Sequence, residues 1–390
     1  MLFPKPACCF TLQRFEICLR VRADNHLSSA EPLQRPLVYI GPAAPHIRQQ
    51  KRTVTISRTA AQHWIEPHAH GIYVKPADMW IDPSRPAERA LVTHGHADHA
   101  RSGHKAVWAT PETLAIMALR YGTEMGTPVR YGDGFEANGV KISFHPAGHV
   151  LGSAQILLEH AGERVVVTGD YKRRFDPTCA PFEAVACDLL ITEATFGLPV
   201  FTHPPIEGEI AKLLAAREAN ADGCIVVGAY ALGKAQRVIA ELRRAGFDAP
   251  IYIHGAMQKM CELYAAHNVP LGDLLMATGL AKSELKGAIV IAPPSAMNDR
   301  WAQRLPEPIT AMASGWMRVR QRARQRNVEL PLVISDHADW NELTDTLLEL
   351  RPSETWITHG RTDALGRWCE LHQLKARALD LVGREDEDEG

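Results

Sequence analysis

Apolar and polar positions along the chain fall into three regimes. Up to about residue 60 no period holds, and Pro, Arg and Gln lie scattered among single apolar residues, which predicts a poorly ordered N-terminal extension. From Trp64 onward, apolar runs of strand length recur: Gly71-Ile72-Tyr73-Val74, Met79-Trp80-Ile81, Arg89-Ala90-Leu91-Val92-Thr93, the alternating Val140-Lys141-Ile142-Ser143-Phe144, and Arg164-Val165-Val166-Val167. A helix stands among them, with Thr110 as N-cap and Pro111 at its first position, running to about Tyr121. Beyond Asp188 the pattern alternates. A strand over 188–193 is followed by a helix at about 206–219, strand Cys224–Gly228, a helix at about 232–245, strand Ile251–His254 and, further on, strand Ala288–Ala292. Alternation of this kind predicts a parallel α/β unit. Two more strands begin at Leu332 and Glu354, the final helix is expected to contain Ala364 to Leu379, and the acidic tail from Arg384 is expected to be disordered.

Many of these strands end in residues that bind metals. After the strand over 89–93 comes His94-Gly95-His96-Ala97-Asp98-His99, three imidazoles and a carboxylate within six residues. That is more than one tetrahedral ion needs from a single loop, and the donor types suit zinc or manganese. The spacing divides the ligands between two ions, with His94 and His96 sharing one and Asp98 and His99 holding the other. Asp82, at a strand end just upstream, either accepts the second N–H of a ligand histidine or caps a turn before Pro83. His149 lies between Gly148 and Gly152, which allow a tight backbone, and either points into the site or is a buried histidine bonded to a carbonyl. Asp170 ends the strand over 164–167 and has two oxygens with which it could bridge ions ~3.5–4 Å apart. Glu193, His337 and His359 likewise follow strands.

Composition narrows the class. The 390 residues are 46% hydrophobic, enough for a large core, and the net charge of −2 provides no global field for nucleic acid. Such a partner would need local patches. Lys172-Arg173-Arg174, beside Asp170, is one candidate. A second is Lys234, in the Ala229–Lys234 turn between a strand and a helix. The third is the alternating run Arg318, Arg320, Arg322, Arg324, Arg326. The eight cysteines contain no C-x-x-C pair, which suits a reducing compartment, and no apolar run approaches the ~20 residues of a membrane span. A cytoplasmic location is expected.

The order and identity of these motifs resemble the metallo-β-lactamase fold nucleases of the β-CASP group. The likeness is carried by Asp82, His94-Gly95-His96-Ala97-Asp98-His99, His149, Asp170, Glu193, Ser335-Asp336-His337-Ala338-Asp339 and His359, and covers roughly residues 64–382. The phrases Gly169-Asp170-Tyr171-Lys172-Arg173-Arg174, Thr192-Glu193-Ala194-Thr195-Phe196-Gly197 and Ser335-Asp336-His337-Ala338-Asp339-Trp340 resemble more narrowly the bacterial ligase-associated DNA exonucleases, relatives of the Artemis-type repair nucleases. Ser314-Gly315-Trp316 is similar to a Gly-Trp of that branch, whereas a histidine at the position of His359 is more usual in the RNA-cleaving branches.

The resemblance implies an α/β architecture, a metallo-β-lactamase αββα sandwich with an inserted α/β β-CASP domain. Its divisions are an extension at 1–60, a core at 61–204 and 328–382, an insertion at 205–327 and a tail at 383–390. It implies two divalent ions, zinc in the first place with manganese or magnesium as alternatives. His94, His96 and His149 hold the first ion, Asp98, His99 and His359 the second, and Asp170 bridges. Asp82 orients ligands, and Glu193 pairs with His337, which contacts the scissile phosphate or protonates the leaving oxygen. The activity implied is a DNA exonuclease working from the 5′ end in repair, in partnership with an ATP-dependent DNA ligase and a helicase. The rivals are an RNA-processing nuclease with the same site, a thioester or lactone hydrolase, and a non-catalytic scaffold with a relic site.

Overall fold

The computed structural model describes residues 60–122 and 126–379; the expected N-terminal extension, apart from Ala60, and the acidic tail lie outside the described residues. Two sheets pack against each other. The first runs in the order β1 (Ile65–His68), β2 (Gly71–Val74), β3 (Met79–Ile81), β4 (Arg89–Leu91), β5 (Ala106–Ala109), β6 (Thr127–Pro128), and helix α1 (Pro111–Tyr121) joins the last two strands. The hydroxyl of Thr110 accepts the Thr113 N–H at 3.2 Å, the N-cap read from the sequence. The second sheet starts with β7 (Gly134–Ala137), β8 (Val140–Pro146), β9 (Ala154–His160), β10 (Glu163–Val167) and β11 (Leu189–Ala194).

The chain then builds a third sheet. Its strands are β12 (Cys224–Gly228), β13 (Ile251–Ile253), β14 (Leu274–Met276), β15 (Ala288–Ala292), β16 (Pro308–Ala313) and β17 (Leu330–Leu332). They lie in the order β14-β13-β15-β12-β16-β17 with every pair parallel, as the alternation predicted. Helices α2 (Ile206–Ala219), α3 (Lys234–Arg244) and α4 (Gln258–Ala266) share a core with one face, through Leu213, Val238, Leu242 and Tyr264 against Ile225, Val227, Ile289 and Ile291. The short helix α5 (Arg320–Gln325) contributes Ala323 to the core on the other face. After α6 (Trp340–Leu350) the chain returns to the second sheet as β18 (Glu354–Gly360), beside β11, and after α7 (Thr362–Leu371) as edge strand β19 (Ala376–Ala378).

The period of two in the strands decides the layers. Ile156, Leu158, Val165, Val167, Leu189, Ile191 and Trp356 face a core shared with Ile72, Val74, Ile81 and Leu91 of the first sheet. The alternate residues Leu157, Val166, Leu190 and Ile357 face the other way, onto Leu343 and Leu347 of α6 and Leu365 and Cys369 of α7. Both faces of the central strands of the second sheet are therefore dry, and α1 covers the outer face of the first through Met117 against Val107 and Ala109.

Two expectations fail here. The strand expected to begin at Leu332 is Leu330–Leu332 and ends there, so His337 lies on an irregular segment. The last helix stops at Leu371, with Gln373 at φ 59° beyond it, and Ala376–Ala378 pair with Thr355–Ile357 instead of continuing the helix. An open sheet edge beside β18 outweighs local helix propensity. Among the described residues, no helix is long and apolar enough to cross a membrane.

Candidate metal centre

The C-terminal ends of the strands converge on one place. In the first sheet, β3 leads into Asp82 and β4 into His94–His99. In the second, the neighbouring parallel strands β10, β11 and β18 deliver Asp170, Glu193 and His359. His149 comes from the loop between β8 and β9, and His337 from the segment between β17 and α6. The glycines around His149 are required: Gly148 and Gly152 have φ of 76° and 77°, and a Cβ on them would meet the Lys172 carbonyl at 2.2 Å and the Glu112 side chain at 2.7 Å.

His94, His96, His149 and Asp170 form a buried quartet. His94 Nε2 and His149 Nε2 lie 3.2 and 3.0 Å from His96 Nδ1, and 3.4 and 3.7 Å from Asp170 Oδ2. Tetrahedral ligands ~2.1 Å from an ion stand ~3.4 Å apart, so this quartet has the spacing of a four-coordinate shell. On the other side of the same carboxylate, Asp170 Oδ1 lies 3.1 Å from His359 Nε2 and 3.5 Å from His99 Nε2, which is 3.2 Å from Asp98 Oδ2. Asp170 thus turns one oxygen to each group.

The electrostatics of the first group fit such an ion, whereas in the second, against the effect of burial, Asp98, Asp170 and Asp82 hold the His99 imidazole well above its ordinary pKa, so that an ion there would take the place of a proton. Burial first, then the neighbouring imidazoles (His99 beside His94, His337 beside His149), press the His94 and His149 imidazoles well below their ordinary pKa, leaving neutral rings with lone pairs. Burial opposes charge on Asp98 and Asp170 too, but the imidazoles around them, His99 foremost, hold both below the usual carboxylate range. Asp98 Oδ1, His99 Nε2 and Asp170 Oδ1 are buried without a hydrogen bond among the described residues. Three such atoms at one point carry a cost of about 1–3 kcal/mol each unless another group satisfies them. The residues present could hold two divalent cations.

Supporting contacts fix the rings. Asp82, in the left-handed region at φ 44°, accepts from the Thr93 N–H at 2.8 Å and from its hydroxyl at 2.6 Å, and meets His99 Nδ1 at 2.8 Å. Of the two roles open to Asp82, it therefore faces a ring of the loop. His149 realises both of its alternatives, since Nδ1 meets the Asp336 carbonyl at 2.8 Å while Nε2 faces the site. The contact with Asp336 was not legible, because a main-chain carbonyl leaves no side-chain signal. His337 Nδ1 is 3.0 Å from Glu193 Oε2 and 4.0 Å from Asp170 Oδ2, and Glu193 Oε1 accepts the Tyr171 N–H at 2.7 Å.

The cations expected beside the site are placed differently. Lys172 is fully buried and paired with Asp176 at 2.5 Å. The Arg173 guanidinium reaches Glu349 and lies 3.2 Å from the Thr346 hydroxyl, and Arg174 Nη2 lies 2.8 Å from Glu342 and 3.3 Å from Asp339. Arg174 clamps the loop to the start of α6 and Arg173 to its later turns, and the run does not present three open cations. Lys234 is 3% exposed, 3.7 Å from Asp336 Oδ2. Arg318 and Arg320 are exposed, as is Arg324, with no ion pair among the described residues.

The buried pairing makes an acid-stability prediction. Burial alone would raise the Asp176 pKa, but Lys172 and then Arg237 outweigh it and bring it down from 3.8 to about 2. The stabilisation is then complete above pH ~4 and lost as the pH falls toward ~2. Asp176→Asn is expected to cost on the order of 2 kcal/mol at pH 6 and little at pH 2, checked by urea unfolding at both.

The chain has relatives among known proteins. A scan of protein-family models found no match. The chain is 30% identical over 327 residues to a protein of Opitutus terrae named "Probable DNA ligase", covering 81% of this chain and 31% of that protein. It is 29% identical over 264 residues to an endoribonuclease of Gibberella zeae, covering 56% of this chain and 31% of that one. These relatives support the β-CASP nuclease family to which the sequence motifs point. It spans about a third of the length of these curated relatives. A crystal structure of a protein of unknown function from Enterococcus faecalis matches with TM-score 0.50 at 14% identity, over 74% of this chain and 78% of that one, and speaks for the fold alone.

Proposed function

We propose that this β-CASP chain is a metal-dependent phosphodiesterase that removes nucleotides from DNA, working from the 5′ end. In this reading 61–204 and 328–382 form the metallo-β-lactamase αββα core and 205–327 the β-CASP insertion over it. The observation that carries the reading is Asp170, with an oxygen toward each of two ligand groups and the His337–Glu193 pair alongside.

Two divalent ions, zinc by the donor set, supply positive charge for the phosphate oxygens and lower the pKa of a water. The chain's own residues do the rest. His94, His96 and His149 on one side, and Asp98, His99 and His359 on the other, present donor atoms already facing one another, so little reorganisation is needed. Asp82 keeps His99 Nε2 turned inward by holding Nδ1. Glu193 holds His337 by Nδ1, and His337 Nε2 passes its proton to the leaving 3′-oxygen. Burial of the ligands excludes bulk water from the charged groups.

The exposed Arg318, Arg320 and Arg324 are proposed to contact phosphates outside the centre. Replacing all three with Ala is expected to weaken DNA binding evenly across sequences. The dependence of log K on log salt should flatten by about two to three, measured by fluorescence anisotropy at several ionic strengths.

Likeness to a protein named a DNA ligase supports a place in repair alongside ligation; the helicase partner and the cytoplasmic location of this proposal come from the sequence reading alone. Likeness to an endoribonuclease, together with a histidine at 359, favours a second reading, an RNA-processing nuclease using the same site. Parallel digestion of 5′-labelled single-stranded DNA and RNA decides between them: release of labelled nucleotide from DNA supports the first reading, and cleavage confined to RNA overturns it.

A further inference from the structure

Each imidazole of the two ligand groups turns one nitrogen to the centre and one away from it, and the outer nitrogens are held differently in the two groups. In the second group, His99 Nδ1 meets Asp82 at 2.8 Å and His359 Nδ1 lies 2.9 Å from the Thr358 hydroxyl. Both partners belong to the first two sheets, directly after β3 and within β18. In the first group, His94 Nδ1 faces the adjacent Thr93 hydroxyl at 3.1 Å, but the other two rings are held from far along the chain. His96 Nε2 is 3.4 Å from the carbonyl of Leu232, where β12 turns into α3, and His149 Nδ1 donates to the Asp336 carbonyl at 2.8 Å.

Asp336 is itself gripped by α3. Lys234 and Arg237 stand three residues apart and share one face of the start of that helix. Lys234 Nζ is 3.7 Å from Asp336 Oδ2, and Arg237 Nη1 is 3.7 Å from Asp336 Oδ1 and donates to the Ser335 carbonyl. Arg237 Nε is 3.3 Å from Asp176 Oδ2, the oxygen that also pairs with Lys172. All five charged side chains are buried. A cation at the start of a helix opposes the helix dipole, and a buried charge is costly unless paired. Lys234 and Arg237 therefore do nothing for α3 alone; they become favourable only against Asp336 and Asp176. The same helix start presses on the His149 loop, because a Cβ on Gly233 would come within 2.4 Å of Val150. From the other side the Lys172 N–H donates to the Ala147 carbonyl at 3.1 Å. With glycines at 148 and 152, the loop's own backbone imposes little direction, and these neighbours decide where His149 points.

We propose that Lys234 and Arg237 are positioning residues for the first ion: docking of α3 through them sets the Asp336 carbonyl and with it His149, while the Leu232 carbonyl sets His96. The second ion's ligands are set without α3. Coupling of this kind is reciprocal, so an ion at the first group also tightens α3. The inference rests on the two-ion reading of the centre and adds which of the ions depends on the third sheet.

The test is zinc affinity of metal-stripped protein, measured by competition with a chromophoric chelator in two backgrounds. His359→Ala leaves the first group intact and His149→Ala the second. Adding Lys234→Met should weaken zinc about 10- to 100-fold in the first background and less than about threefold in the second. The double change Arg237→Met with Asp176→Asn, which removes one charge of each sign, should act in the same way. Unchanged affinity in the first background, or equal loss in both, overturns the assignment. A second measurement needs no substitution. Zinc added to the metal-stripped wild type should slow amide exchange over α3 at least about fivefold and leave edge strand β7 unchanged. Unaltered exchange over α3 overturns the coupling while leaving the two-ion reading in place. Failure of the wild type to take up zinc removes both.

Discussion

Asp170→Asn is expected to lower phosphodiester hydrolysis by at least about a thousandfold, more than loss of a single preorganised hydrogen bond typically costs. The substitution keeps the shape of the side chain and removes its charge. Four imidazole Nε2 atoms, those of His94, His149, His99 and His359, lie between 3.1 and 3.7 Å from the two Asp170 oxygens. A carboxylate can face two cations at once; an amide offers one acceptor and turns an NH₂ toward the other group. The variant should bind fewer ions as well as losing rate, so single-turnover cleavage of labelled DNA and elemental analysis of the same sample should fall together. Full activity in Asp170→Asn would sink the two-ion reading.

The second large effect is at His337. His337→Ala is expected to reduce kcat by about 10²–10⁴ with little change in KM, the range for loss of a positioned general acid. Glu193→Gln should cost less, about 10- to 100-fold, because it acts by holding the ring and the Tyr171 N–H rather than by moving the proton. A substrate whose leaving 3′-oxygen is replaced by sulfur needs no proton to depart. On that substrate His337→Ala should recover to within about tenfold of wild type if the role is acid catalysis. Equal impairment on both substrates would instead assign His337 to holding the phosphate.

The parts of this account that were legible in the sequence are those set by short-range pattern. The apolar runs gave β4, β10 and β12, because a strand buried on both faces must be apolar at successive positions, and β8 showed as an alternation because only one of its faces is buried. The Thr110-Pro111 start of α1 follows from local capping chemistry. The centre was legible because its donors end strands and include a dense cluster of ligand types, although its assembly needed His359, far from His94 in sequence. What was not legible depends on partners distant in the chain. Nothing near Arg173 or Arg174 shows that they meet Glu349 and Glu342, 176 and 168 residues further on, or that Lys172 would be enclosed with Asp176. A run of cations reads alike whether it faces solvent or carboxylates. The β19 edge strand was read as helix because its three residues carry no strand signal of their own and gain one only from the exposed edge of β18.

The most direct test of the two-ion nuclease is a zinc titration of metal-stripped protein while cleavage of single-stranded DNA is followed. The account predicts negligible activity without metal and a rate that reaches its plateau only after the second equivalent is bound. Cleavage by the metal-free chain, or a full rate after a single equivalent, would contradict it.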